Sequence, residues 1–207
     1  MKLTILIPTV PSRLTFFYPK IMNELLRQTE GYDNIELIAL FDNKKRTIGA
    51  KRQSMLDLVQ GEYVAFIDDD DRIAPNYIQE IMDTLTNNPE SDCIVFNVLC
   101  TVNGGTPMLC KYGIEFKNGE IPNGEWRGQP AHIMVYKTSI AKKHKYKDMG
   151  SGEDCDWVRR ACLDIKCQIR IDKVLYYYDA EYETTSETVG LSDETIKHNI
   201  NLKLNNP

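Results

Sequence analysis

Gly61-Glu62-Tyr63-Val64-Ala65-Phe66-Ile67-Asp68-Asp69-Asp70-Asp71 is the stretch that decides the fold. Its apolar run has the length and composition of a strand buried on both faces, so Tyr63 to Ile67 is predicted as a strand. That strand ends in four consecutive carboxylates. Most acidic runs are solvated loops, but one joined directly to a buried strand holds its members where they repel and raise one another's pKa. A divalent cation relieves that repulsion. Oxygen ligands suit Mg2+ or Mn2+, ions that take one or two carboxylates and share phosphate oxygens. Asp68 and Asp70 fall on one side if the extended geometry continues. Asp70 is therefore the first candidate for direct ligation, with Asp68 toward ribose or metal, Asp71 in second line, and Asp69 in the same nucleotide-binding group.

Working outward, strand and helix patterns alternate. Leu3 to Ile7 reads as a strand, Pro19 to Gln28 as a helix, Ile35 to Phe41 as a second buried strand, and Ile48 to Val59 as a helix. A helix carrying Ile78, Ile81 and Leu85 follows Pro75, and Ile94 to Leu99 is a further strand. Such alternation implies an α/β fold, a mainly parallel sheet with helices on both faces, which binds ligands beyond the carboxyl ends of its strands. From Thr101 the pattern changes. Asn103-Gly104-Gly105, Asn118-Gly119 and Asn123-Gly124 are turn signals between short extended runs, predicting a small antiparallel extension. Ile133 to Tyr136 and Gln168 to Tyr178 are later strands, and a helix begins near Glu153. The expected organisation is one domain over residues 1–183 and a tail, 184–207, with a short helix from Ser192.

The 207 residues carry 25 Lys and Arg against 30 Asp and Glu, a net charge of −5, so there is no global attraction for nucleic acid or an anionic membrane. No apolar stretch approaches membrane-spanning length, and the first ten residues are too short and too proline-cut for a signal segment. Six cysteines without a Cys-x-x-Cys pair argue for reduced core thiols and a cytoplasmic location.

At this point the chain resembles the family 2 GT-A glycosyltransferases. Leu3-Thr4-Ile5-Leu6-Ile7-Pro8-Thr9 is similar to the family's first strand and nucleotide loop, and Leu40-Phe41-Asp42-Asn43 to the strand end whose acid touches base or ribose. Gly49-Ala50-Lys51-Arg52-Gln53 resembles the Gly-x-x-x-Arg-Asn helix start. The stretch Gly61 to Asp71 is similar to Gly-Glu-Tyr-Ile-Ala-Phe-Leu-Asp-x-Asp-Asp, and Gly152-Glu153-Asp154 resembles the motif that carries the catalytic base. The resemblance implies a GT-A type, Rossmann-like sheet and a metal-dependent, inverting transfer from a nucleoside diphosphate sugar, most commonly a UDP sugar. Pro8, Thr9, Arg13, Asp42, Lys51, Arg52, Asp68 and Asp69 would contact the donor, and Asp154 with Glu153 would serve the acceptor. The Gln-x-x-Arg-Trp motif of processive synthases is absent. The aromatic strand that often carries a histidine here reads Tyr176-Tyr177-Tyr178, which leaves His132 as a substitute metal ligand.

The residues support these roles on their own terms. Arg52, four after Ile48 and four before Leu56, lies on the inner side of its helix, where a guanidinium needs an anionic partner: donor phosphate, the Asp cluster, or a helix-face ion pair. Lys51 and Arg13 are lesser candidates for the same work. Asp154 heads the stripe Trp157, Val158, Ala161, Cys162, Ile165, and is read as pointing to the core side as a base. Ser151 and Asp154 also have capping-box spacing. Glu153, off the stripe, is expected to face the acceptor. Trp126 could stack on a sugar or simply pack, and Lys142-Lys143-His144-Lys145 reads as a solvated helix face. A nucleotidyltransferase, which would carry a glycine-rich loop where Pro8-Thr9-Val10-Pro11-Ser12-Arg13 stands, and an inactive carbohydrate-binding relative are the competing classes. The acceptor is open: a glycan, a small molecule or a hydroxymethylated DNA base. The DNA option requires Lys44-Lys45-Arg46 and the 142–145 run to flank the site.

Overall fold

The computed structural model describes residues 2–180; the 184–207 tail and its expected helix lie outside the described residues. Strand β1 (Leu3–Thr9) is buried along its whole length, between β2 (Ile35–Phe41) and β3 (Tyr63–Phe66), and pairs with both in parallel. The central position accounts for its continuous apolar run. Helix α1 (Phe17–Thr29) buries Ile21, Leu25 and Gln28 at the spacing of one helix face. Helix α2 (Ile48–Leu58) starts at Thr47, whose hydroxyl accepts from Ala50 N, the arrangement of an N-cap.

The second half is less regular. A two-residue strand, β4 (Arg72–Ile73), leads to α3 (Tyr77–Asn87) and β5 (Cys93–Val102). Then come β6 (Met108–Tyr112), β7 (Trp126–Gly128), β8 (Val135–Lys137), α4 (Thr138–Lys143), α5 (Glu153–Ala161) and β9 (Gln168–Ala180). One edge of β5 is shared by β8, at Cys93 and Ile94, and β6, at Val98 to Cys100; β9 runs parallel along the other edge from Cys93 to Val102. Helix α3 packs Tyr77 edge-on to Phe96, centroids 5.7 Å apart.

The α/β, GT-A type architecture is present, with a mixed sheet. Four differences from the sequence reading have physical causes. The strand predicted as buried, β2, is the sheet edge: its residues are at most half-buried, and Ala39 and Phe41 are exposed. β5 does not neighbour β3, because β8 inserts between them antiparallel to both. The extension is antiparallel at β5–β6 and at the Glu120–Arg127 bridge, but β7 pairs with β6 in parallel, which the long connection over 113–125 permits. Finally, β4 and α4 are too short to leave a periodicity.

Candidate functional site

Three parallel strands end together. Thr9 aligns with Phe41, and Ile67 N donates to Leu6 O, so Thr9, Asp42 and Asp68 emerge at the same end of the sheet. Pro8 lies inside β1, opposite Leu40. The inner face of α2 supplies the cations. Lys51, 3 % exposed, donates from Nζ to Thr9 O at 2.7 Å and lies 2.7 Å from Asp42 Oδ1. Arg52, 5 % exposed, places Nη2 2.8 Å from Asp68 Oδ1 and Nη1 2.8 Å from Glu153 Oε1. Arg13, in the single 3-10 turn after β1, reaches Asp69 Oδ1 at 2.5 Å and Asp70 Oδ2 at 2.7 Å.

The four aspartates therefore have four environments. Burial opposes ionisation of Asp68, but Arg52 and His132 outweigh it and hold its pKa below the usual carboxylate range. Asp69 is raised, chiefly by burial, despite Arg13. Burial and the charges of Asp68 and Asp69 push Asp70 up to about 6. Asp71, buried beside Asp70 and Asp68, is raised furthest; its Oδ2 accepts from Tyr176 Oη at 2.6 Å. The same hydroxyl accepts from Asp68 N at 3.2 Å. Arg13 thus does not fully offset the crowding of like charges.

On the far side of Arg52 stands the start of α5. Gly152 occupies the N-cap with φ 76, a left-handed conformation that glycine adopts at no steric cost. That turn aims Glu153 inward, 4 % exposed and bound to Arg52, with its pKa raised by burial against the pull of the guanidinium. Glu153 is therefore not acceptor-facing, as its place off the apolar stripe suggested. Asp154 is only partly covered: its side chain is 18 % exposed, Oδ1 accepts from Cys155 N at 2.8 Å, and Oδ2 lies 3.5 Å from His132 Nδ1. The N-cap residue of α5 is Gly152, one place on from the Ser151 that the capping-box spacing pointed to. His132 Nε2 is 3.3 Å from Asp68 Oδ2.

Other features resolve into packing. Trp126 lies against Tyr112, centroids 5.3 Å apart, and a side chain at Gly128 would collide with its indole. The basic run is solvated, with Lys142, Lys143 and Lys145 exposed, and it is tied down at its ends: Lys142 donates to Val59 O at 2.8 Å, and Lys143 and His144 both hold Asp164. Tyr176 was not identified as a site residue. The Tyr176-Tyr177-Tyr178 run marks an aromatic strand but cannot say which ring turns inward.

No helix among the described residues is long and apolar enough to cross a membrane. Nor do three His, Cys, Asp or Glu side chains among them converge as a complete metal cage, so Asp68, Asp70 and His132 are not a preformed three-ligand set. What suits a hard cation is the chemistry of separate carboxylate oxygens. Asp69 Oδ2, Asp71 Oδ1 and Asp42 Oδ2 are buried without a hydrogen-bond partner among the described residues, and Asp70 is crowded by like charge.

The family model described as Glycosyl transferase family 2 matches residues 19–149. That span holds the Asp cluster, Arg52 and His132; β1 and the Gly152-Glu153-Asp154 segment fall outside it. Among solved structures, S. aureus TarS 1-349 in complex with UDP-GlcNAc aligns with a TM-score of 0.62 at 17% identity, over 99% of this chain and 72% of that one. Its complex with UDP aligns at 0.60 and 20% identity, over 99% and 71%. A197 from STIV aligns at 0.52 and 15%, over 86% and 85%. These likenesses show the fold. No curated protein matches in sequence.

Proposed function

The chain belongs to glycosyl transferase family 2, and from that membership we propose that it moves a sugar from a UDP sugar to an acceptor hydroxyl with inversion, aided by Mn2+ or Mg2+. The observation that carries the reading is the ion-pair chain Asp68–Arg52–Glu153, which joins the strand-end carboxylates to the helix start bearing Asp154. That TarS 1-349 has been solved with UDP and with UDP-GlcNAc supports UDP as the nucleotide.

In this reading Asp42 and Thr9 line the base and ribose end, and Lys51 fixes both. Asp70 and Asp68 would hold the cation together with diphosphate oxygens, and the cation would offset the charge of the departing diphosphate. Arg13 would stand beside the same phosphates. The acceptor oxygen attacks the anomeric carbon as the bond to the diphosphate oxygen breaks; Asp154 takes the hydroxyl proton, and the bonding pair leaves with UDP. Arg52 orients Asp68 and Glu153 without exchanging a proton. Sugar hydroxyls are the favoured acceptors. The DNA option loses support because Lys142 and Lys143 engage Val59 and Asp164 and do not flank the site.

Calorimetric titration with UDP tests the donor site. Binding is expected with Mn2+ and strongly weakened by EDTA, and Asp70→Asn should remove the difference. Equal affinity with and without EDTA would overturn metal dependence; no binding of any nucleoside diphosphate would overturn the donor site.

A further inference from the structure

His132 stands between the two carboxylates on which the transfer reading depends. Its Nε2 lies 3.3 Å from Asp68 Oδ2 and its Nδ1 3.5 Å from Asp154 Oδ2. Each carboxylate has its other oxygen fixed elsewhere: Asp68 Oδ1 by Arg52 at 2.8 Å, and Asp154 Oδ1 by Cys155 N at 2.8 Å. The ring is 12 % exposed and tilts against Phe66, centroids 6.5 Å apart. Its backbone is held by the turn in which Met134 N donates to Ala131 O, followed at once by the buried Ile133 and Met134. The imidazole is thus a braced spacer, not a surface side chain.

A carboxylate on the first turn of a helix has a broad terminal torsion. The Asp154 carboxylate meets Cys155 N through Oδ1 and faces the imidazole through Oδ2. We propose that His132 is a positioning residue that orients the Asp154 carboxylate against Asp68, so that the base is aimed by the donor side of the site. The inference rests on Asp154 acting as the base. The separation at Nδ1 is longer than an optimal hydrogen bond, as is common before substrate closes a site. A base displaced by about 1 Å loses on the order of a hundredfold in rate, so an orienting contact of this kind has a measurable effect.

The test is a double-mutant cycle on the full chain, with UDP release from UDP-GlcNAc and Mn2+ as turnover and UDP calorimetry as donor affinity. His132→Ala is expected to lower kcat by about ten- to a hundredfold with donor affinity held within about twofold. Added to Asp154→Asn, the same change is expected to cost less than about twofold more, because its effect runs through Asp154. His132→Asn, which presents an amide near the Nδ1 position, should recover more turnover than His132→Gln, which presents one near Nε2. This pair keeps the comparison open if the alanine variant does not fold. An equal cost in both backgrounds, an unchanged kcat, or a loss of Mn2+-dependent UDP affinity marking a ligand role would overturn the positioning alone. Wild-type turnover in Asp154→Asn, or no UDP release by the wild type, would overturn the transfer reading and the inference with it.

Discussion

The donor side of the site is assembled from segments close in sequence: Thr9, Arg13, Asp42, Lys51 and Asp68 to Asp71 all arise within the first three strands and their connections. The base side is assembled from afar. Glu153 reaches Arg52 across 101 residues and His132 reaches Asp68 across 64. The donor side is a cluster of excess charge, in which Asp42 and Asp68 to Asp70 pair with Arg13, Lys51 and Arg52. On the base side each carboxylate has one neighbour that it shares with Asp68, Arg52 for Glu153 and His132 for Asp154. The contrast teaches how the proposed roles divide: like charge is crowded in the half assigned to cation and phosphate, and paired off in the half assigned to the base.

Removing the base should separate the two halves most widely. Asp154→Asn keeps the shape and is expected to lower kcat by roughly 10²–10⁴, with Mn2+-dependent UDP affinity unchanged by calorimetry. Loss of UDP binding would place Asp154 in the donor half instead. Cutting the link between the halves should have the next largest effect. Arg52→Ala leaves Asp68 and Glu153 without their shared buried cation, and should cost about 3–5 kcal/mol of stability, read from the urea midpoint at constant m. A midpoint within error of the wild type would show the ion pairs to be dispensable.

A smaller effect is expected where α2 meets the loop before α5. Gly49 N donates to Met149 O at 3.2 Å, and a side-chain carbon at Gly49 would come 1.9 Å from Lys147 O, a backbone atom. Gly49→Ala should therefore destabilise by about 1–3 kcal/mol and weaken turnover more than UDP binding, since it displaces the base side against the donor side. Equal losses in both would show that the halves move as one. Tyr176→Phe removes only the hydroxyl between Asp71 and Asp68 N. A loss of about 1 kcal/mol in thermal unfolding is expected, with UDP affinity reduced no more than severalfold.

What the sequence disclosed follows the same division. Strand ends and helix starts of the first half were legible because a buried parallel strand is a bare apolar run and its ligand residues follow at once; β2 matches its expected bounds. Its edge position was not legible, since a half-buried edge strand can carry the same apolar run as a central one. In the second half the turn signals at Asn103, Gly119 and Asn123 mark real bends, with φ of 47, 85 and 55. Which strands pair there depends on contacts between distant segments, and neither the insertion of β8 nor the parallel return of β7 leaves a local mark. Glu153 was misplaced for a similar reason. Helical periodicity describes the body of α5, whereas the left-handed Gly152 and the waiting Arg52 determine where its first side chain goes.

The distribution of sulfur gives the molecule two chemical addresses. Cys93, Cys100, Cys110 and Cys162 are buried, while Cys155 and Cys167 are exposed. Cys155 follows the proposed base directly, and its N–H already holds Asp154 Oδ1. Cys167 precedes β9, where its carbonyl accepts from Asp92 N beside the start of β5, the end of that strand opposite Val102. With Cys167 replaced by serine, a thiol-reactive dye would attach beside Asp154 alone. Its emission would then report when an acceptor enters.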